Sequence, residues 1–259
     1  MAPGNGDRDT LYVVATPIGH MGDISDRAKE TLAAVDVVAS EDTRRTGLLL
    51  QRLGIRRPQV AFHAFNEERA AGRILGLLRE GRDVALVSDA GTPGISDPGY
   101  SLIRLAIDQE LAVTMVPGPC ALVTALVLSG LPSHAFTFRG FPPRTESARR
   151  RFLTEDAASP HTLIYYESPH RLGRLLQAAH EMLGDRPAAV CLELTKRFEG
   201  VRRGRLSALA TEFASAVVRG EATVVVGGLR PAKARSPQDA PSGSDAGERS
   251  ELDGAGPRL

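Results

Sequence analysis

The chain has no tryptophan, only two cysteines, and 5% aromatic residues among its 259. Cys120 and Cys191 lie far apart, with no CxxC or Cys/His spacing. That argues against a disulfide framework or a zinc site, so no metal is expected and the thiols are read as reduced, in a cytoplasmic protein. No apolar run approaches the ~20 residues that span a bilayer. The polar opening, Met1–Asp7, lacks the apolar core of a secretory signal. A formal net charge of +1 gives no general attraction to nucleic acid. GxxxxGK[ST] is absent, and Gly19 and Gly22 do not complete a GxGxxG, so neither a P-loop nor a Rossmann fingerprint is supported. There is no internal repeat.

What is present is an α/β alternation with enough apolar residues, 42%, for a substantial core. Leu11–Ala15, Val37–Ala39, Val60–Phe62, Val84–Val87 and Ala112–Val116 read as strands. Amphipathic helices separate them: Ala28, Leu32 and Val35 recur at i, i+4 and i+7, Ile74, Leu77 and Leu78 face inward, and Leu102, Leu105 and Ala106 mark a third stripe. This predicts a mostly parallel, doubly covered sheet over 11–117. Pro117-Gly118-Pro119 then punctuates the chain, and Ala121–Leu128 is apolar all round, the pattern of a helix buried on every side. A second α/β domain is expected over 118–230, with strands at Ala135–Phe138, Thr162–Tyr166, Ala188–Leu194 and Ala222–Gly227. A basic helix over Arg144–Asp156, a helix over Leu172–Leu183 and a last helix reaching Val218 accompany them. Val201–Arg205 reads as a hairpin arm on the preceding strand, which makes the second sheet mixed. Residues 1–10 are expected to be flexible. Residues 231–259 are expected to be disordered, since Pro, Ser, Gly, Asp and Ala with almost no large apolar residue cannot bury enough surface.

The stretch VALVSDAGTPGISDPGY, Val84–Tyr100, is the most informative. A short apolar strand gives way to two Gly/Pro breaks, a long structured loop at a strand's carboxyl end, where α/β folds bind ligands. Asp89 falls where the strand ends and is placed to meet a hydroxyl or ammonium group; an ornate βα connection is the other reading. Ser40-Glu41-Asp42-Thr43-Arg44-Arg45-Thr46 is either a binding edge or a capped helix start.

Thr16-Pro-Ile-Gly, Glu41-Asp-Thr-Arg, Ser88-Asp-Ala-Gly-Thr-Pro, Asp97-Pro-Gly, Pro117-Gly-Pro, Tyr166-Glu-Ser-Pro-His-Arg and Glu193-Leu-Thr-Lys occur in that order. Over Leu11–Leu229 the chain thereby resembles the ribosomal RNA small subunit methyltransferase I family of the tetrapyrrole methylase superfamily. The resemblance implies two α/β domains with S-adenosylmethionine in the cleft between them, and a homodimer. It also implies methylation of the ribose 2′-hydroxyl of a decoding-centre cytidine in 16S rRNA of the small subunit, cytidine 1402 in family usage. Pro17, Asp89, Gly91, Thr92, Cys120, Ala121, Tyr166 and Ala222 are then the expected cofactor contacts. The chain departs from the family pattern at His20, at Ala64 and Phe65 within His63-Ala-Phe-Asn66, at Arg139 and at Leu192.

A ribose hydroxyl is a weak acid whose proton must leave as the O–C bond forms. Glu167, Glu193, Lys196 and Asp97 are the candidate groups. Lys196 would stabilise oxyanion charge, or act as base if burial lowered its pKa; an ion pair between Glu193 and Lys196 at a strand end is the structural alternative. His170 reads as a loop hydrogen-bonder. Expected RNA contacts are Arg44, Asn66, Arg144, Arg149, Arg150, Arg171 and Arg197, with Arg139, Arg151, Arg202, Arg203 and Arg205 as further phosphate partners. Two other readings stand beside this one: carbon methylation of a tetrapyrrole, and a non-catalytic rRNA-binding or assembly protein.

Overall fold

Strands buried on both faces cannot alternate polar and apolar residues, and the runs Leu11–Val14, Val37–Ser40 and Val84–Val87 are such strands. The computed structural model describes residues 9–216 and 218–229. In it β1 (Leu11–Val14), β2 (Val37–Ser40), β3 (Gln59–Ala61), β4 (Val84–Val87) and β5 (Val113–Val116) lie in the order β3-β2-β4-β1-β5. Every pairing is parallel. Helices α1 (Asp26–Ala34), α2 (Thr43–Arg52), α3 (Glu67–Arg79) and α4 (Tyr100–Asp108) supply the crossovers. Alternate strand residues point to opposite faces. Leu11, Val37, Ala39, Val84 and Leu86 meet Ile74, Leu78 and Leu102 of α3 and α4. Tyr12, Val14, Val38, Ala85 and Val87 meet Leu32 and Leu50 of α1 and α2.

The second sheet lies wholly after Pro117-Gly118-Pro119. Its strands are β6 (Phe136–Gly140), β7 (Thr162–Glu167), β8 (Pro187–Leu192), β9 (Gly200–Arg205) and β10 (Ala222–Val226), in the order β6-β7-β10-β8-β9. Only β6 and β7 run parallel, so the sheet is mixed, and β9 is the arm expected beside β8. The helices are α5 (Ala121–Ser129), α6 (Glu146–Thr154), α7 (Leu172–Leu183) and α8 (Leu206–Phe213). α7 and α8 cover the face carrying Leu163, Tyr165, Val190 and Val224. α5 covers the other, through Leu122, Ala125 and Leu126 against Ile164, Cys191 and Val225.

Three expectations are corrected. α5 is not buried on every side: Val123 is 50% and Val127 69% exposed, because the sheet covers only one face of the helix. Leu105 points outward from α4, whose core contacts are Leu102 and Ala106. α8 stops at Phe213, not at Val218. The expected tail over 231–259 and most of the expected flexible start lie outside the described residues. No helix among the described residues is long and apolar enough to cross a membrane.

Candidate active site

The loops leaving the carboxyl ends of the parallel strands converge on one cleft, the usual place for a ligand in such a sheet. After β4, Gly91 pairs in both directions with Thr16 after β1: the Thr16 amide donates to the Gly91 carbonyl at 2.8 Å, and the Gly91 amide to the Thr16 carbonyl at 3.1 Å. Gly91 has φ +83°, and a Cβ there would stand 3.2 Å from Ile18 Cγ2, so the close approach requires glycine. The Thr92 hydroxyl donates to the Pro119 carbonyl at 3.2 Å, fastening this loop to the turn after β5. Farther along, the Ser101 hydroxyl donates to Glu67 of α3 at 2.6 Å, anchoring the loop's end.

The opposite wall comes from the second sheet. Tyr166 on β7 accepts from the Leu122 amide at 3.0 Å and so holds the first turn of α5 in place. Burial pushes this phenol's pKa upward, keeping it protonated. Phe138 and Phe141 pack on its ring at 4.8 and 5.6 Å between centroids. The register shift in β6 at Gly140 turns the chain toward Phe141. The space enclosed is about 400 Å³, within the range of small-molecule sites.

The lining is acidic. Asp89 accepts from the Asp42 amide at 3.0 Å and pairs with Arg45 at 3.2 Å. Glu41 is held above the ordinary carboxylate range by burial and by Asp89. Asp97 is pushed up to about 6, first by burial, then by Glu41, with Asp89 and Glu221 adding and the Ser88 hydroxyl opposing. Glu167 is raised by burial against the pull of the Ser168 amide and Arg171. Five carboxyl groups thus face one lining arginine, Arg45. A small cation suits that field.

Of the residues expected at the cofactor, Asp89, Gly91, Thr92, Cys120, Ala121, Tyr166 and Ala222 line the cleft. Pro17 does not; Ile18 beside it does. Asp97 and Glu167 are also in the lining. Glu193 and Lys196 stand at the rim, where Glu193 accepts from the Glu221 amide at 2.9 Å and from Lys196 at 3.0 Å. Lys196 also meets Glu221 at 3.1 Å. This turn is tight: Glu193 and Thr195 both have positive φ, and a Cβ at Gly220 would overlap the Glu193 carboxylate. Burial lowers the Lys196 pKa, but its hydrogen bonds with Glu193 and Glu221 outweigh it and leave the value raised. Lys196 is therefore an ammonium, and the idea of a burial-lowered lysine base is corrected. The ion pair with Glu193 is present.

The expected RNA contacts are scattered, and none lines the cleft. Arg149 is 4% exposed and donates to the Arg144 carbonyl at 3.3 Å, so it is an internal group and not a phosphate contact. Arg171 is tied to Glu167, Arg150 to Glu146 and Glu181, and Arg139 to Glu155 and Asp156. Arg203 donates to the Leu128 carbonyl, Arg205 to the Asp185 carbonyl, and Arg202 pairs with Glu212. Asn66 shapes its own turn, accepting from the His63 amide at 2.8 Å and donating to the Ala61 carbonyl at 3.0 Å. Arg44 caps back onto Asp42, with its side chain largely exposed. Arg144 and Arg197 are exposed, the latter over the Phe198 ring.

Asp42 caps α2, accepting from the Arg44 amide at 2.9 Å, while Glu41 and Arg45 line the cleft. The Ser40–Thr46 cluster thus caps α2 and also borders the cleft. Reasoning from sequence missed Glu41, Arg45, Phe141 and Glu221 as lining residues. Glu41 begins a quoted motif and Arg45 directly follows it, so position after β2 was the available signal; nothing marked Phe141 or Glu221.

Residues 10–210 match the family described as Tetrapyrrole (Corrin/Porphyrin) Methylases. A protein of Micromonospora olivasterospora named ribosomal RNA small subunit methyltransferase I is 52% identical over 85% of this chain and 70% of its own length. The protein of that name from Escherichia coli O157:H7 is 45% identical over 89% of this chain and 82% of its own. Among solved structures, cobalt precorrin-4 methyltransferase superposes with TM-score 0.63 at 19% identity, covering 86% of this chain and 97% of that one. Uroporphyrin-III C-methyl transferase from Thermus thermophilus, complexed with S-adenyl homocysteine, gives 0.58 at 20% identity over 84% and 96%. At such identities these two structures establish the fold alone.

Proposed function

Because the chain belongs to the tetrapyrrole methylase family, and within it to the ribosomal RNA small subunit methyltransferase I proteins, we propose that it methylates small-subunit rRNA with S-adenosylmethionine. The acceptor in this reading is the ribose 2′-hydroxyl of the decoding-centre cytidine, cytidine 1402 in family usage. The protein works as a cytoplasmic homodimer on 16S rRNA or the small subunit, its two α/β halves dividing at 117/118. One observation carries the cofactor assignment: residues from both sheets, Asp89, Gly91 and Thr92 on one side and Tyr166 and Ala222 on the other, border a single acidic cleft of about 400 Å³.

The lining fits a sulfonium amino acid. Asp89 and Glu41 suit an ammonium group, the Gly91 backbone permits close approach, and Ile18, Leu194, Phe141 and Tyr166 supply apolar and aromatic walls. S-adenosylmethionine, when bound, supplies an electrophilic methyl group, so positioning carries much of the acceleration.

On the acceptor side the groups differ in their freedom to move a proton. Glu167 is held by Arg171 and the Ser168 amide, and Glu193 by Lys196 and the Glu221 amide. Asp97 lies in the cleft with a pKa of about 6, so it is largely ionised at neutral pH yet more basic than an ordinary carboxylate, which suits a general base. Asp97 accepts the hydroxyl proton on its carboxylate as the oxygen attacks. Lys196, fully charged at the rim, steadies the negative charge that develops.

Transfer of tritium from labelled S-adenosylmethionine to small subunits lacking the modification tests the reading. Label in a 2′-O-methylcytidine of the decoding centre, resistant to alkaline cleavage, is the expected result. Cofactor binding without any transfer to the subunit would overturn it.

A further inference from the structure

Phe65 is 98% exposed, more than any other large apolar residue among those described. It sits in the turn after β3, at the same carboxyl edge of the parallel sheet as the cleft. Three hydrogen bonds fix that turn: the His63 amide to Asn66 Oδ1 at 2.8 Å, Asn66 Nδ2 to the Ala61 carbonyl at 3.0 Å, and the Asn66 amide to the His63 carbonyl at 2.9 Å. The ring is not folded back onto the core; its aromatic neighbour is His63, edge-on at 6.2 Å between centroids. His63 in turn stands near enough to the cleft residue Glu41 to act on its charge. The start of the adjacent α2 carries Arg44 and Arg45, whose side chains are largely exposed. A hydrogen-bonded turn thus holds an apolar ring in water at the carboxyl edge of the parallel sheet, one strand over from the arginine-bearing start of α2.

We propose that Phe65 is a stacking platform for an unpaired base of the RNA substrate, with Arg44 and Arg45 facing the adjoining phosphates. The proposal rests on the rRNA reading above and adds to it the residue that grips the strand. Unpaired RNA is recognised chiefly by stacking on aromatic faces, with arginines following the backbone. A backbone turn fixed in advance leaves only the side chain's own torsions to be ordered on binding, which lowers the cost of stacking.

The chain lacks tryptophan, so Phe65→Trp introduces a single fluorescent reporter at the site in question. Titration with unmethylated small subunits is expected to quench its emission saturably. Phe65→Ala is expected to raise KM for small subunits about tenfold, with a much smaller change in kcat and the same affinity for S-adenosylmethionine; Phe65→Trp is expected to keep KM near the parent value. An unchanged KM in the alanine variant, or unquenched tryptophan, overturns the proposal. A change of oligomeric state by sedimentation in the alanine variant also overturns it, since the ring would then cover a second copy. Failure of the unsubstituted protein to methylate small subunits at all overturns the functional reading itself, an outcome separable from the others.

Discussion

Asp97 carries a cost that its replacement should remove. Burial and the neighbouring Glu41, Asp89 and Glu221 raise its pKa from 3.8 to about 6. The folded protein therefore holds this proton more tightly than the unfolded chain does. Stability falls as pH rises from 3.8 to about 6 and is level above that, with the penalty fully present at neutral pH. A shift of about two units corresponds to at most about 3 kcal/mol at about 1.4 kcal/mol per unit. Asp97 is partly exposed, and solvent screening reduces this to about 1–2 kcal/mol. Asp97→Asn should thus be more stable than the parent at pH 8 by about 1–2 kcal/mol, a rise in Tm of about 3–6 °C for a folded unit of this size. The gain should shrink through the window between 6 and 3.8 and vanish below it. Urea or thermal unfolding of both proteins at half-unit pH steps measures this directly. Methyl transfer should fall at least a hundredfold in the same variant, within the range for loss of a general base. A stability difference that does not change with pH, or a variant less stable than the parent at pH 8, would refute the electrostatic account of the cleft.

The same carboxyl cluster predicts that binding S-adenosylmethionine near pH 6 releases protons, because a cationic ligand favours ionised Asp97. Calorimetry in buffers of different ionisation enthalpy should show a buffer-dependent heat; identical heats would contradict this. Tyr166→Phe leaves the Leu122 amide without its acceptor at the first turn of α5. It should cost about 1–2 kcal/mol of stability and weaken cofactor binding, read by equilibrium dialysis; unchanged affinity would remove Tyr166 from the site. Lys196→Met removes the charge that meets Glu193 and Glu221. It should lower kcat roughly tenfold or more with little change in cofactor affinity, and an unaltered kcat would make the ion pair purely structural.

Much of this protein is determined locally, and that part was legible in its sequence. β1, β2 and β4 are covered on both faces, so their apolar runs announce themselves, and the Gly/Pro punctuation after β4 marks the ligand-bearing loop. The order of short motifs identified the family, because most of them lie at a strand end or in the turn that follows it, where backbone geometry restricts residue type. Charge pairing was decided only by the tertiary structure. Arg149 and Arg171 look like solvated cations in a list of residues, yet the fold buries one and pairs the other with Glu167. Lys196 looked open to a lowered pKa until Glu221, 25 positions further on, was brought against it. Val123 and Val127 read as core until the sheet was seen to cover one face of α5. The raised pKa of Asp97 likewise depends on Asp89 in its own loop and on carboxylates from two other loops, the one following β2 and the one preceding β10. Burial and electrostatics sum over neighbours that are distant in sequence, and so they become readable only once the two sheets have brought those neighbours together.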